Sequence, residues 1–211
     1  MKKRIQGLYA ITDQKLMAPK KFAAKLRQAL EGGAKVVQYR DKSHHHQLRY
    51  EQASMLVELC NEYDAISIIN DDIELSKTVN ADGVHLGSED DDLIFARSEL
   101  GDKKIIGVSC YASIELANKA ILDSADYVAF GSIFPSSTKP QAPVAGIEVL
   151  QQAKKSLAVP VVAIGGITPD NLSTVIATGV DSVAIISGVF ARASLSNDIS
   201  SAARCFAKAF N

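Results

Sequence analysis

The chain has 211 residues, of which 47% are hydrophobic and 22% charged, and its formal net charge is −1. This balance is typical of a folded globular protein and excludes a disordered chain. A net charge near zero gives no electrostatic basis for binding nucleic acid or an anionic membrane, so we expect neither as a partner. The length suits one domain covering residues 1–211.

The cysteines and the N-terminal segment indicate a cellular compartment. Cys60, Cys110 and Cys205 are an odd number without a CxxC spacing, which predicts reduced thiols rather than a disulfide framework. The segment MKKRIQGLYAITD begins with basic residues, as signal peptides do, but its apolar run stops at Asp13. No stretch approaches the ~18 apolar residues of a membrane span. We therefore expect a soluble, cytoplasmic protein.

A short apolar run, a turn and a helical stretch alternate along the whole chain. The predicted strands are Gly7–Thr12, Val36–Arg40, Ser67–Asn70, Gly83–Gly87, Lys104–Ser109, Tyr127–Ser132, Val159–Gly165 and Ser182–Ser187. The predicted helices are Pro19–Glu31, Gln47–Glu62, one from Ile73, Asp91–Leu100, Ser113–Asp123, Ile147–Lys155, one with Pro169 in its first turn and one near Ser200–Ala209.

Several strands, such as Val161–Ile164 and Val183–Ile186, are continuous apolar runs. Such runs are typical of parallel strands that are covered on both faces. Eight β–α units predict a single (β/α)8 TIM barrel of α/β class, and a doubly wound open sheet is the alternative. In a barrel the active site lies at the C-terminal ends of the strands, so we expect the functional residues there.

The loop after strand six is the richest in hydroxyl groups. Ser136 and Thr138 stand beside Lys139, between two prolines that stiffen the segment. Hydroxyl donors next to an ammonium suit an anionic oxygen cluster such as phosphate. An ordinary solvated loop is the alternative for this segment taken alone.

Strand two ends in the run QYRDK. Strand alternation places Gln38, Arg40 and Lys42 on one face and Tyr39 and Asp41 on the other. Two cations and an amide at the barrel mouth predict binding of a polyanion.

Carboxylates follow strands three and four. Asp71, next to Asn70, and Asp90 are the best pair for a hard cation such as Mg²⁺, which takes one or two carboxylates together with phosphate oxygens. Helix capping is the alternative for acids in these runs, and Asp72 is a candidate cap. The tripeptide His44–His46 resembles a metal site, but adjacent side chains cannot easily all face one ion, which favours a solvated loop.

The remaining strand ends carry small polar residues. Ser109 follows strand five, Gly166 lies in a glycine pair after strand seven, and Ile186 and Ser187 end strand eight. Barrels frequently bind phosphate through backbone N–H groups after strands seven and eight. A tight turn that needs glycine is the alternative. Together the strand ends predict one cationic, metal-assisted anion region and one neutral, backbone-based region, and hence two phosphorylated small-molecule substrates.

The chain resembles the thiamine-phosphate synthase (thiamine-phosphate pyrophosphorylase) family nearly end to end. The motifs are YAITD at Tyr9–Asp13, QYRDK at Gln38–Lys42, INDDIELS at Ile69–Ser76, ADGVHLGSED at Ala81–Asp90, GVS at Gly107–Ser109, FGSIFPSSTK at Phe130–Lys139, AIGGI at Ala163–Ile167 and ISG at Ile186–Gly188. The resemblance implies a transferase of thiamine biosynthesis in a (β/α)8 barrel. It would couple 4-amino-2-methyl-5-hydroxymethylpyrimidine diphosphate to a thiazole phosphate.

The resemblance also implies roles for individual residues. The ligands of the pyrimidine diphosphate would be Gln38, Arg40, Lys42, Asn70 and Lys139, and the Mg²⁺ ligands Asp71 and Asp90. The thiazole phosphate would be held by Ser136, Thr138, Gly166, Ile186 and Ser187, and Ser109 would lie near the pyrimidine. Lys139, Arg40 and Lys42 would act in catalysis by taking up the charge of the leaving diphosphate.

Three departures and two alternative functions accompany this resemblance. The family usually has Leu and Glu where this chain has Tyr39 and Asp41, and Thr where Ser136 stands. A thiazole tautomerase-like isomerase and a non-catalytic barrel that binds thiamine phosphates are the alternative functions. Self-association into a homo-oligomer is left open by the sequence.

Overall fold

The computed structural model describes residues 3–87, 92–135, 143–191 and 198–210, with residue 92 described for its backbone only. Eight parallel strands form its centre. They are β1 Gly7–Ile11, β2 Ala34–Tyr39, β3 Ile66–Asn70, β4 Gly83–Leu86, β5 Ile105–Tyr111, β6 Tyr127–Phe130, β7 Val161–Ile164 and β8 Ser182–Ile185. Each strand pairs with the next, and β1 pairs in parallel with β8, where Leu8 lies opposite Val183. This last pairing closes the sheet, so the predicted (β/α)8 barrel is confirmed and the open sheet is excluded.

Helices follow the strands and cover the outside of the barrel. They are α1 Phe22–Glu31, α2 His46–Glu62, α3 Ile73–Thr78, α4 Asp92–Leu100, α5 Ile114–Leu122, α6 Glu148–Ser156, α7 Leu172–Ile176, α8 Ser187–Phe190 and α9 Ile199–Ala207. Short 3-10 turns, Pro19–Lys21 and Lys208–Phe210, precede α1 and follow α9. Among the described residues, no helix combines the length and the apolar character that crossing a bilayer would require.

One helix prediction is wrong, and one short helix was not predicted. Pro169 was expected in the first turn of a helix, but α7 begins only at Leu172. The cause is Asn171, whose side chain accepts from the N–H of Thr168 and donates to the carbonyl of Gly166. These bonds hold residues 168–171 in a turn, which places Pro169 before the helix. The single turn α8 was not predicted at all, because a four-residue helix carries too little sequence periodicity.

The apolar side chains form an inner and an outer core. The inner cluster fills the barrel and consists of Ile5, Tyr9, Ile11, Val36, Ile66, Ile68, Ile105, Tyr127, Ala129, Val162 and Ala184. The alternate positions, such as Leu8 and Val37, belong to a larger cluster between the strands and the helices. Continuous apolar strands are therefore explained by burial on both faces.

Tyr39 lies on the outer face of β2, where the resemblance predicts Leu, and is buried in the outer core. Its ring is 2% exposed and packs edge-on against Phe22, with ring centroids 6.0 Å apart. Its hydroxyl donates to Gln52 Oε1 at 3.1 Å and lies 3.4 Å from Asp41 Oδ2. The tyrosine hydroxyl at position 39 thus has a polar partner behind the strand.

A repeated aspartate fixes the N-terminal end of the barrel. Asp82, Asp126 and Asp181 immediately precede β4, β6 and β8. Each carboxylate accepts the N–H of a residue in the preceding strand, from Ser67 at 2.9 Å, Ile106 at 2.8 Å and Val161 at 2.9 Å. These bonds fix strand register at the end of the barrel that carries no candidate ligand.

Ion pairs reinforce two of these aspartates. Arg97 donates to Asp126 Oδ2 at 2.7 Å and also to the carbonyl oxygens of residues 101, 104 and 124. Lys154 and Arg4 both donate to Asp181. Although burial raises the pKa of the Asp181 carboxyl, its bonds from Lys154, Val161 and Arg4 outweigh that effect and hold the pKa below its usual value.

We expect Asp126→Asn to lower the free energy of unfolding by about 1–3 kcal/mol, because charge-assisted bonds from Arg97 and Ile106 are lost or weakened. Urea unfolding measures this change. The matched control is Asp102→Asn, an exposed aspartate at the same end of the barrel. Equal free energies of unfolding for both variants and the parent would contradict the role assigned to Asp126.

Candidate active site

The C-terminal ends of the strands surround a cavity of about 180 Å³. All eight strands or the residues that directly follow them contribute to its wall. The lining residues are Tyr9, Ile11, Gln38, Arg40, Asn70, His85, Ser109, Tyr111, Ala129, Gly131, Ser132, Val162, Ile164, Gly165, Ala184 and Ile186. Five residues predicted from the sequence are among them, namely Gln38, Arg40, Asn70, Ser109 and Ile186.

Strand β2 directs two of these side chains inward. Gln38 is 3% exposed and Arg40 half-buried, and both line the cavity, while Tyr39 points to the outer core. The Arg40 N–H donates to the hydroxyl of buried Thr12 at 2.9 Å, which fixes the chain where β2 ends. Within the described part of the chain, the Arg40 guanidinium has no hydrogen-bond or ion-pair partner. It is therefore available to an anion in the cavity.

The two adjacent aspartates after β3 have different partners. Asp71 has a φ of 62°, its Oδ2 accepts from Asn70 Nδ2 at 2.6 Å, and the Lys42 ammonium lies 3.8 Å from the same oxygen. Asp72 instead caps α3, accepting from the N–H of Leu75 at 2.8 Å. Asp72 as a helix cap is thereby confirmed. Asp71 and Lys42 are exposed and do not line the cavity, but Asp71 is bonded to Asn70, which does. This exposed edge is called the rim below.

The loop after β6 is described only at its two ends. Ser136, Thr138 and Lys139 lie outside the described residues, as does Asp90 after β4. On the first side, the N–H groups of Ile133 and Phe134 donate to the carbonyls of residues 164 and 165. On the far side, the Ala145 N–H donates to the Ser132 carbonyl at 2.7 Å. Both ends of this loop are thus anchored next to the end of β7.

The glycine pair after β7 is required by this packing. Gly165 and Gly166 have φ values of 98° and 64°, in the region that favours glycine. A Cβ atom at Gly165 would overlap Ser132, and one at Gly166 would overlap the carbonyls of Phe134 and Pro135. The turn alternative therefore explains the glycines without a ligand. Gly165 nevertheless lines the cavity, and Gly166 is the next residue in the chain.

At β8, Ile186 lines the cavity and Ser187 begins α8. The first N–H groups of a helix have no acceptor within the helix. Gly166, Ile186 and Ser187 are thus brought to one side of the opening, with Arg40 and Asn70 contributed by β2 and β3.

Sequence reasoning missed the polar floor of the cavity. Gln38 Nε2 donates to the Tyr9 hydroxyl at 2.8 Å, and that hydroxyl lies 2.9 Å from the Tyr127 hydroxyl. The Tyr127 hydroxyl is 2.9 Å from His85 Nδ1, and His85 Nε2 is 2.9 Å from Ser109 Oγ. This row of five side chains is called the floor chain below. The sequence signal that could have revealed this row is a polar residue at an inward-facing position of an otherwise apolar strand.

Four members of the floor chain are buried, all except half-buried Ser109, and burial sets the protonation of the tyrosines and the histidine. Burial raises the pKa of the Tyr9 and Tyr127 hydroxyls and lowers the pKa of His85 to about 4. The imidazole is therefore neutral at neutral pH. Gly107 makes room for this arrangement, because a Cβ atom there would overlap the Tyr127 ring.

The cysteines and the histidine tripeptide are not part of the cavity. Burial raises the pKa of Cys60 and of Cys110 to about 12, which leaves both thiols unreactive. His44 and His45 are exposed residues before α2, and His46 is its exposed first residue. Across the described ranges, no three His, Cys, Asp or Glu residues form a group that could hold a metal ion.

Comparison with known proteins identifies the family. Residues 8–189 match the family model described as thiamine monophosphate synthase. The chain belongs to this family. The thiamine-phosphate synthase of Acidithiobacillus ferrooxidans is 47% identical over 98% of this chain and 95% of its own length. That of Nitrosococcus oceani is 45% identical over 100% and 95%.

A solved structure agrees with this assignment. Thiamine phosphate pyrophosphorylase from Pyrococcus furiosus is 40% identical, with a TM-score of 0.86 over 97% of this chain and 95% of that one. The expected family, and with it the expectation that the chain is a transferase, are confirmed. A thiamine phosphate pyrophosphorylase from Bacteroides thetaiotaomicron, at 19% identity and a TM-score of 0.68, supports the fold alone.

The neutral His85 predicts a pH dependence of stability. Below pH 6.5 the unfolded chain binds a proton at this residue, whereas the folded chain does so only near pH 4. The unfolded state then holds more protons, so the contribution of His85 is fully present above pH 6.5 and is lost as the pH falls. We expect the free energy of unfolding to fall by about 3 kcal/mol more between pH 6.5 and pH 4 in the parent than in His85→Gln.

Urea unfolding at several pH values measures this slope. His44→Gln, at an exposed histidine, is the matched control and should retain the slope of the parent. A His85→Gln variant with the same slope as the parent would contradict a buried, neutral imidazole.

Proposed function

We propose that this protein couples 4-amino-2-methyl-5-hydroxymethylpyrimidine diphosphate with a thiazole phosphate, giving thiamine phosphate and diphosphate. The observation that carries the proposal is that Gln38, Arg40, Asn70 and Ser109, predicted as ligands of the pyrimidine substrate, line one cavity at the strand ends. Family membership at 45–47% identity over nearly the full chain supports the reaction.

The size of the cavity supports a placement in which only one part of the substrate is enclosed. A volume of about 180 Å³ lies below the ~300–1,000 Å³ of pockets for drug-sized ligands, so the described wall encloses one part of a larger ligand. The buried floor, with its hydrogen-bonding groups and apolar walls, suits the heteroaromatic ring. The charged diphosphate then lies towards the rim, where Arg40 and Lys42 stand.

The rim suits a leaving diphosphate. Arg40 is available for bidentate contacts with phosphate oxygens, and Lys42 is exposed at the same edge. Lys139, outside the described residues, is the third proposed cation. Their task is to take up negative charge as the bond to the pyrimidine methylene breaks, which is positioning and electrostatic stabilisation without a strong base. The unreactive thiols of Cys60 and Cys110 agree with a mechanism that needs no covalent intermediate.

A divalent cation fits the rim residues that are described. Asp71 supplies carboxylate oxygens and is about half exposed, so a cation there could keep several waters, as Mg²⁺ does. Asn70 holds the Asp71 carboxylate in place through the 2.6 Å bond. We propose Asp71 and Asp90 as the protein ligands. When bound, Mg²⁺ would neutralise charge on the diphosphate oxygens.

The second substrate is assigned to the opposite side of the opening. Gly166, Ile186 and Ser187, together with Ser136 and Thr138 of the loop after β6, are the proposed ligands of the thiazole phosphate. The anchoring of that loop to Ile164 and Gly165 supports the grouping, because it keeps the two phosphate-binding segments side by side.

The reaction itself is the first test. Purified protein, Mg²⁺ and both substrates should yield thiamine phosphate, detected by its oxidised fluorescence, and EDTA should abolish the product. Product that is unaffected by EDTA would overturn the metal assignment alone. Binding of both ligands without turnover would favour the non-catalytic barrel, and isomerisation of a thiazole substrate alone would favour the tautomerase.

We expect Arg40→Ala to lower kcat/KM for the coupling reaction by more than tenfold, because one preorganised charge-stabilising group is worth ~2.7–4 kcal/mol in comparable sites. Steady-state kinetics measures the effect. Arg27→Ala removes the same side chain from the outer surface, where it pairs with Glu62, and should leave kcat/KM unchanged. A near-parental rate in Arg40→Ala would remove that residue from the proposed site.

A further inference from the structure

Each of the three internal members of the floor chain, Tyr9, Tyr127 and His85, carries one proton for hydrogen bonding. Tyr9 and Tyr127 each carry one hydroxyl proton and each have two polar partners within 2.9 Å. Neutral His85 carries one N–H proton and likewise has a partner at each nitrogen. Neutral His85 must therefore donate at one nitrogen and accept at the other. A tyrosine hydroxyl could accept twice, but its buried proton would then lack an acceptor, which is costly. The favoured arrangement has each internal member donating one bond and accepting the other, so all bonds of the chain point the same way.

The direction of the chain is set at Gln38. Its Nε2 faces Tyr9, and an amide nitrogen can only donate. Tyr9 must then donate to Tyr127, and Tyr127 to His85 Nδ1. The His85 proton therefore lies on Nε2 and is donated to Ser109 Oγ. The Ser109 hydroxyl proton is left for a molecule bound in the cavity.

We propose that Tyr9, Tyr127 and His85 are positioning residues that fix the Ser109 hydroxyl as a donor, so that the cavity selects a ring with a hydrogen-bond acceptor at that point. The three act through Ser109 and are not catalytic residues. Burial supports this role, since Tyr9 and Tyr127 are 1% and 0% exposed, and a buried hydroxyl proton without an acceptor in a reversed chain would be costly.

The chain also couples the two ends of the floor. Gln38 and Ser109 both line the cavity, and reversing the donor at one end requires reversing every bond to the other. An aminopyrimidine presents an amino donor next to a ring-nitrogen acceptor. The corresponding oxo analogue presents a carbonyl acceptor next to a ring N–H, which is the opposite pattern. This inference rests on the proposed function for its substrate, and it predicts that the floor chain discriminates between these two rings.

The direction of the chain can be tested without any substrate. In ¹⁵N-histidine-labelled protein, NMR should place the His85 proton on Nε2 at neutral pH, with Nδ1 unprotonated. In Tyr127→Phe the donor to Nδ1 is lost, and the tautomer preference should weaken or reverse. A parental His85 protonated on Nδ1 would overturn the proposal, whatever reaction the protein catalyses.

Specificity is the second measurement. The parent should use the aminopyrimidine diphosphate in preference to its 4-oxo analogue. Tyr127→Phe should reduce the ratio of the two kcat/KM values by about tenfold or more. The reason is that Ser109 is then no longer held as a donor, so the 4-oxo ring no longer meets a hydrogen-bond mismatch there. Tyr9→Phe breaks the chain at another link. It should produce the same loss, and the double variant no more than either single one.

Tyr39→Phe is the matched control. It removes a buried tyrosine hydroxyl from the opposite face of β2, so it should lower thermal stability but leave both the specificity ratio and the His85 tautomer unchanged. An unchanged ratio in both Tyr9→Phe and Tyr127→Phe would overturn the proposal. If the parent couples neither ring, the proposed function fails, and the NMR result still decides the direction of the chain.

Discussion

The parallel pairing of β1 with β8 is the constraint on which the rest of the structure depends. It joins the first strand to a strand more than 170 residues later, for example where Leu8 lies opposite Val183. Closure forces every strand to present one face to a narrow interior and the other to the helices. It also brings all eight C-terminal strand ends to one opening, so that residues from β2, β3 and β5 share a single cavity.

The two ends of the barrel have different tasks. At the N-terminal end, Asp82, Asp126 and Asp181 use their carboxylates to hold neighbouring strands in register. At the C-terminal end, Arg40 and Asp71 retain hydrogen-bonding capacity that the described residues do not use up. The bonds that hold strand register therefore lie at the end where no ligand is expected. The charged side chains at the opposite end are not used for that task.

The interior differs from a purely apolar barrel core by its floor chain. Burying two hydroxyls and an imidazole is unfavourable unless each is hydrogen-bonded, and here each has two partners. A fully satisfied buried network is rigid and has a defined direction. The same row of bonds that makes these groups tolerable in the core therefore also orients the ligand-facing Ser109.

The sequence by itself determined the fold and five of the sixteen residues that line the cavity. Period-two alternation put Gln38 and Arg40 on the inner face of β2, and the barrel rule brought them together with Asn70, Ser109 and Ile186. The capping role of Asp72 was also legible, since the signal is local. Pro169 was misplaced because Asn171 forms a turn through side-chain bonds that the helix pattern does not reveal.

Only the tertiary structure decided which inward side chains meet. Tyr9 and Tyr127 are 118 residues apart in the chain, and Gly107 has to be a glycine because the Tyr127 ring lies against it. Alternation predicts the face on which a side chain lies, but the partner across the barrel depends on strand register and closure. For this physical reason the sequence identified the ends of the floor chain, Gln38 and Ser109, and the fold supplied the three residues that join them.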